Sequence, residues 1–203
     1  MVRNLQLHYA NPHVRVILQD RRRDMEIVET ILTRRSIRAY DQKPIPEELL
    51  YKVLDVTRHA PSGSNREPTR LIVVKDLERR TTLSALCSHQ SFIAQAPVVI
   101  VAVGKVFSSN RGGYMGNFSN LLDGAIVLDH LTLIARSEGL GTCWIGSFDN
   151  DRIKRFLQIP EGWQIIGLTP LGYPNTERSF KPTDKRMPLE QFVMEERWIG
   201  EEK

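Results

Sequence analysis

The stretch that most limits what this chain can become is PVVIVAVG, residues 97–104. It is apolar without interruption, rich in β-branched residues, and bounded by a proline and a glycine, the pattern of a fully buried strand. Such a strand belongs inside a sheet, and the chain offers three more strands to pair with it. Residues 71–74 and 142–145 read as short buried strands, and residues 163–172 as a longer one interrupted by a proline. Between them run helical patterns. Ile27, Val28, Ile31 and Leu32 keep helical spacing. Pro46 with Glu47 and Glu48 opens a second helix, with proline in the first turn and acids at the positive end of the dipole. Residues 77–87 and 149–157 are further helices, the latter with Asp149 as N-cap. Residues 119–138 form one long helix, apolar around much of its circumference and therefore central, which Gly139-Leu140-Gly141 ends. Helices and strands mixed in this order give the α+β class with a central sheet.

Charge narrows the function. Of the net +4 carried by 203 residues, +3 lies in residues 1–24, where five arginines face Asp20 and Asp24. The body keeps only +1, too little for the basic face that nucleic acid requires. Residues 1–24 read as an extension or arm, and residues 25–203 as one domain. No apolar run is long enough to span a bilayer, and no signal pattern opens the chain, so a cytoplasmic location is expected. The two cysteines, Cys87 and Cys143, make no CxxC pair and the histidines no metal-binding spacing, so neither a disulfide framework nor a metal is expected.

Four short stretches carry chemistry. Arg34-Arg35-Ser36-Ile37-Arg38 sets guanidinium groups, which grip phosphate in a bidentate fork, around a hydroxyl; arginines offsetting a helix dipole are the simpler reading of it. Pro61-Ser62-Gly63-Ser64-Asn65-Arg66-Glu67-Pro68 exposes amide edges after a helix, and taken alone it is an ordinary turn. Gly139 to Gly146, GLGTCWIG, lets backbone approach something flat; its order, helix then strand, is not that of a phosphate loop. Lys185-Arg186 lies in a tail, residues 173–203, that has no core pattern of its own.

In this order and at these separations the four stretches resemble the FMN-dependent nitroreductases. The likeness runs from RRSIRAYDQKPIPEELL through APSGSNREP, QAPVVIVAVG, Asp123-Gly124 and GLGTCWIG to LGYP and KRMPLEQF. It implies a mixed central sheet flanked by helices, in an intertwined homodimer with FMN between subunits and the tail over the partner. By the resemblance Arg34, Arg35, Ser36 and, at the edge, Arg38 hold the FMN phosphate and its neighbouring edge, with Lys185 and Arg186 closing on it. Pro61, Ser62, Gly63, Ser64 and Asn65 line the flavin from the other subunit. Trp144, Ile145 and Gly146 lie along its ring system, with a backbone N–H near N5. The chemistry is then the cofactor's: NAD(P)H reduces the flavin, which passes electrons to a nitroaromatic, a quinone or a similar small acceptor in ping-pong order, with no side chain as catalytic acid or base. Tyr114 and Phe118 are the residues expected against the acceptor. Reductive dehalogenases and dehydrogenases share the fold, and a flavin-binding dimer without turnover is the third reading. Thr69 stands after Pro68, where many members of the family carry an aromatic residue.

Overall fold

The computed structural model of the chain describes residues 26–106, 118–176, 180 and 185–198. Helices α1 (Ile27–Thr33) and α2 (Glu47–Thr57) come first, then strand β1 (Thr69–Val74) and helices α3 (Leu77–Leu86) and α4 (Phe92–Gln95). Strand β2 (Val98–Lys105), the long helix α5 (Ser119–Ser137), strand β3 (Gly141–Thr142), helix α6 (Asn150–Phe156), strand β4 (Trp163–Gly172) and the short helix α7 (Leu189–Phe192) follow. The strands form one sheet in the order β1-β2-β4-β3. The apolar stretch is the inner strand β2, buried along all but its last residue.

Alternation explains why β2 has no polar face. Val99, Val101 and Val103 point to one side, into a core with Leu83, Leu86, Ile93 and Ile153 from α3, α4 and α6. Val98 and Ile100 point to the other, into a core with Leu50 and Val53 of α2 and Leu131 and Ala135 of α5. Helices cover both faces, so every second residue of either parity is apolar. Asp149 caps α6 through its carboxylate, which accepts the Arg152 N–H at 3.0 Å.

The three strand ladders are antiparallel. Parallel pairing enters at the isolated bridge between Ser36 and Thr142, which ties the segment after α1 to the sheet edge at β3. The strand expected over residues 142–145 is shorter, and the ladder itself gives the reason. Pro170 supplies no N–H, and beside it the Cys143 N–H donates to the Thr169 hydroxyl (3.1 Å) instead of to a β4 carbonyl. Pairing resumes at Ile145, which exchanges bonds of 2.8 and 3.2 Å with Leu168. No helix among the described residues is long and apolar enough to cross a membrane.

A bulge in β4 shifts the register between Ala102 and Val103, so that Ile166 has no partner on β2. Its side chain fills the space that a Cβ on Gly124 would need, with Ile166 Cγ1 only 2.6 Å from that position. Gly124 therefore lets α5 lie against the sheet. Gly124→Ala would add up to ~1 kcal/mol of helix propensity. It would also force a clash with atoms close to the Ile166 backbone, where overpacking costs ~1–3 kcal/mol. A net loss of about 1 kcal/mol is expected in urea unfolding, relieved by Ile166→Ala in the same chain. A variant as stable as the parent would show that β4 moves aside freely.

Candidate functional site

The arginine segment begins where α1 stops. The Arg34 N–H closes the last turn on the Thr30 carbonyl, and the chain then runs extended along β3. The Ile37 N–H donates to the Thr142 carbonyl at 2.8 Å. Ile37 is buried against Gly141, where a Cβ would lie 2.6 Å from Ile37 Cγ1. This contact joins two of the stretches singled out in the sequence: the second glycine of GLG makes room for the isoleucine of RRSIR. On either side of that anchor Arg34 and Arg35 are half-buried, while Ser36 and Arg38 are exposed.

Arg35 Nη1 donates to the Arg34 carbonyl at 2.6 Å, and its Nη2 is buried with no hydrogen-bond partner among the described residues. Burial first, then the charges of Arg34 and Arg186, pull the Arg35 pKa below its ordinary value. Arg186 comes from the tail, which runs beside the arginine segment. The Asp41 N–H donates to the Tyr173 carbonyl (2.8 Å) and the Asn175 N–H to the Ala39 carbonyl (3.2 Å), with Lys43 over the Tyr173 ring. Lys185 precedes Arg186 in the same stretch. A further cation was not legible as part of the site. Arg136, in the last turn of α5, donates through Nε to the Thr33 hydroxyl at 2.9 Å and lies 3.9 Å from the ring centre of Phe180. Its only sequence signal was a basic residue at a helix C-terminus. Arg35 thus lies within electrostatic reach of Arg34, Arg186 and Arg136, with Glu29 offsetting charge only at Arg136, and a cationic cluster of this kind suits a polyanion.

Cys143 lies directly beneath. Burial raises its thiol pKa, outweighing the opposing pull of Arg38, the Ser36 hydrogen bond and Arg34. The thiol is packed in the core, and burial of this kind favours its neutral form, the setting of a structural cysteine.

The second stretch makes a tight turn after α2. Ser64, Asn65 and Glu67 have φ of 54°, 53° and 48°, a left-handed backbone that side chains disfavour. Hydrogen bonds hold it there. The Gly63 N–H donates to Asp123 Oδ1 of α5 at 3.0 Å, and the Glu67 N–H to Ser62 Oγ at 2.9 Å. Asp123 is buried and its Oδ2 has no hydrogen-bond partner among the described residues. Pro61, Gly63, Ser64 and Asn65 are exposed, and Ser62 is half-buried.

The third stretch divides by residue. Trp144 is 44% exposed. Its indole Nε1 lies over Gly167, 3.1 Å from where a Cβ would stand. Ile145 sits in the core with both backbone groups committed to Leu168. Gly146 is exposed, with nothing within 4 Å of a Cβ position. Tyr114 lies outside the described residues, and Phe118 stands exposed at the start of α5.

The arginines and the strained turn are not together. The turn is tied to Asp123 and the arginine cluster to Arg136, thirteen residues along α5, or about 20 Å at 1.5 Å per residue. One chain holds them at opposite ends of its longest helix. Large apolar side chains are also exposed: Ile27, Val28, Ile31 and Leu32 on α1, Leu121 and Leu122 on α5, and Leu189, Phe192 and Trp198 in the tail.

The Nitroreductase family pattern matches residues 31–90 and 79–173. An NADH dehydrogenase of Thermus thermophilus is 30% identical over 192 residues, covering 80% of this chain and 92% of that protein. An FMN reductase [NAD(P)H] of Bacillus subtilis is 28% identical, covering 87% and 76%. Among solved structures, a nitroreductase family protein from Clostridium novyi NT superposes with a TM-score of 0.69 at 33% identity, covering 76% of this chain and 88% of that one.

Proposed function

The chain belongs to the nitroreductase family, and from that premise we propose that it is an NAD(P)H-dependent flavin oxidoreductase that works as a homodimer with FMN. The observation that carries the choice of FMN is the guanidinium cluster. Among the described residues Arg35 Nη2 is buried without a hydrogen-bond partner, within reach of the charges of Arg34, Arg186 and Arg136. An ordinary core would supply a carboxylate there. A phosphate dianion satisfies the orphaned donor and relieves the mutual repulsion of the arginines.

The chain's residues then divide the work. Arg34, Arg35 and Arg186, with Lys185 and the Ser36 hydroxyl, hold the phosphate end, and Arg38 adds to the field from the edge. Trp144 and the backbone of Gly146 present an open surface to the ring system. Ile145 stiffens that surface through its pairing with Leu168. Pro61, Ser62, Gly63, Ser64 and Asn65 complete the site from a second copy, because the same chain ties them to Asp123 and its own arginine cluster to Arg136, about 20 Å apart along α5. When bound, FMN supplies hydride acceptance from a reduced nicotinamide and electron delivery to a nitroaromatic or quinone. Donor and acceptor take turns on one open face, hence ping-pong kinetics. The exposed apolar residues of α1, α5 and the tail are the surface on which the second copy packs.

The test is a visible spectrum of the protein purified without added flavin, followed by anaerobic NADH or NADPH. A yellow protein that bleaches with either nucleotide is expected. Protein that stays colourless and takes up no FMN would remove the flavin from the reading; yellow protein that neither nucleotide bleaches would remove the nicotinamide.

A further inference from the structure

Arg136 has a place in the cluster that the proposed function leaves unused. Its Nε donates to the Thr33 hydroxyl at 2.9 Å, and that hydroxyl in turn donates to the Glu29 carbonyl at 2.7 Å. The guanidinium is therefore fixed to the last turn of α1, one residue before Arg34. Its other contact is the face of Phe180, 3.9 Å from the ring centre, a cation–π pairing that is stronger away from water. Phe180 belongs to the tail, six residues before Arg186, and it also packs on the buried group of Ile37, Tyr40 and Ala96. Phe180 is thus held between the arginine segment and Arg136. With Nε given to Thr33 and a flat face given to Phe180, Arg136 is oriented by protein and not by a ligand.

We propose that Arg136 is a positioning residue, a latch that binds Phe180 to the end of α1 and so delivers Arg186 to the anion held by Arg34 and Arg35. The charges agree with this layout: burial lowers the Arg136 pKa, Glu29 on α1 opposes that and Arg35 adds to it, while Arg35 feels Arg34 and Arg186. Geometry sets the requirement. A lysine in place of Arg136 keeps the charge but has neither the Nε donor for Thr33 nor the flat face for Phe180. The inference rests on the phosphate reading above, so its test carries one measurement that needs no flavin.

Flavin-free full-length protein is titrated with FMN and with riboflavin, which lacks the phosphate, by quenching of flavin fluorescence. Arg136→Met is expected to weaken FMN about tenfold, the cost of one displaced guanidinium contact, and to leave riboflavin unchanged. Arg136→Lys should lose nearly as much. Arg186→Ala with Arg136→Met should bind no more weakly than Arg186→Ala alone, because both remove the same contact. In the flavin-free protein, trypsin should cut after Lys185 or Arg186 several times faster once Arg136 is replaced. Full rescue by lysine, or losses that multiply in the double variant, would make Arg136 an independent cation and overturn the latch. An equal loss of riboflavin would mean general damage and overturn it too. If the parent protein binds no FMN, the flavin reading falls and the latch is judged on proteolysis alone, where unchanged cleavage rejects it.

Discussion

Arg35→Ala is expected to lower FMN affinity about a hundredfold, the loss of two charge-assisted hydrogen bonds to phosphate, while leaving the flavin-free protein at least as heat-stable as the parent. The two effects have opposite signs for one reason. Without an anion, Arg35 is a cation pressed among other cations, its pKa lowered by burial and by Arg34 and Arg186, with Nη2 unpartnered. Removing it relieves that repulsion. With an anion present, the same group is a directed donor. The measurement is a pair of melting curves, with and without FMN at a fixed concentration. Stabilisation by a ligand grows as RT ln(1 + [L]/Kd), so a hundredfold weaker site loses ~2.7 kcal/mol of the ligand-induced gain at saturating FMN. Riboflavin, without a phosphate, should shift parent and variant alike. A variant that melts early on its own, or that loses riboflavin as badly as FMN, would show that Arg35 serves the fold and not the phosphate. Arg35→Lys should recover little, because a point charge cannot reproduce the guanidinium fork.

What the sequence announced and what it withheld divide along a physical line. Patterns that depend on one element alone were legible. The uninterrupted apolar run became inner strand β2, the long apolar helix became α5, and Asp149 capped α6. Features that depend on two distant elements were not. Gly141 reads as the end of a helix, yet its missing side chain makes room for Ile37, more than a hundred residues earlier. Asp123 reads as one acid on an apolar helix, yet it holds the Gly63 N–H of a left-handed turn. β3 stops early because Thr169 and Pro170 stand opposite it. Helix α1 shows the limit most plainly. Ile27, Val28, Ile31 and Leu32 have the spacing of a helix with an apolar face, and the helix is there, but all four side chains are exposed and Thr30 is the buried residue. Periodicity says that a face is apolar; it does not say which chain covers it.

The proposed composite site can be taken apart from either copy. Asp123→Ala should empty the site from its other end. It removes the acceptor of the Gly63 N–H, the turn's tie to α5, and leaves the three left-handed residues Ser64, Asn65 and Glu67, each costing ~1–3 kcal/mol, held only by bonds within the turn itself. Homodimers of Arg35→Ala and of Asp123→Ala should therefore both be nearly free of flavin. Co-expressing the two chains separates the alternatives. If each site takes its arginines from one copy and its turn from the other, a mixed dimer collects both lesions in one site and leaves the second intact. Random pairing makes half of all dimers mixed, so flavin content and NAD(P)H oxidation should recover to about a quarter of the parent level. If one chain supplied both parts, every site in every dimer would carry a lesion and the mixture would stay as empty as its components. The recovery is read against a background near zero, so even a few per cent decides it. An Asp123→Ala homodimer that keeps its flavin would instead take the strained turn out of the site altogether.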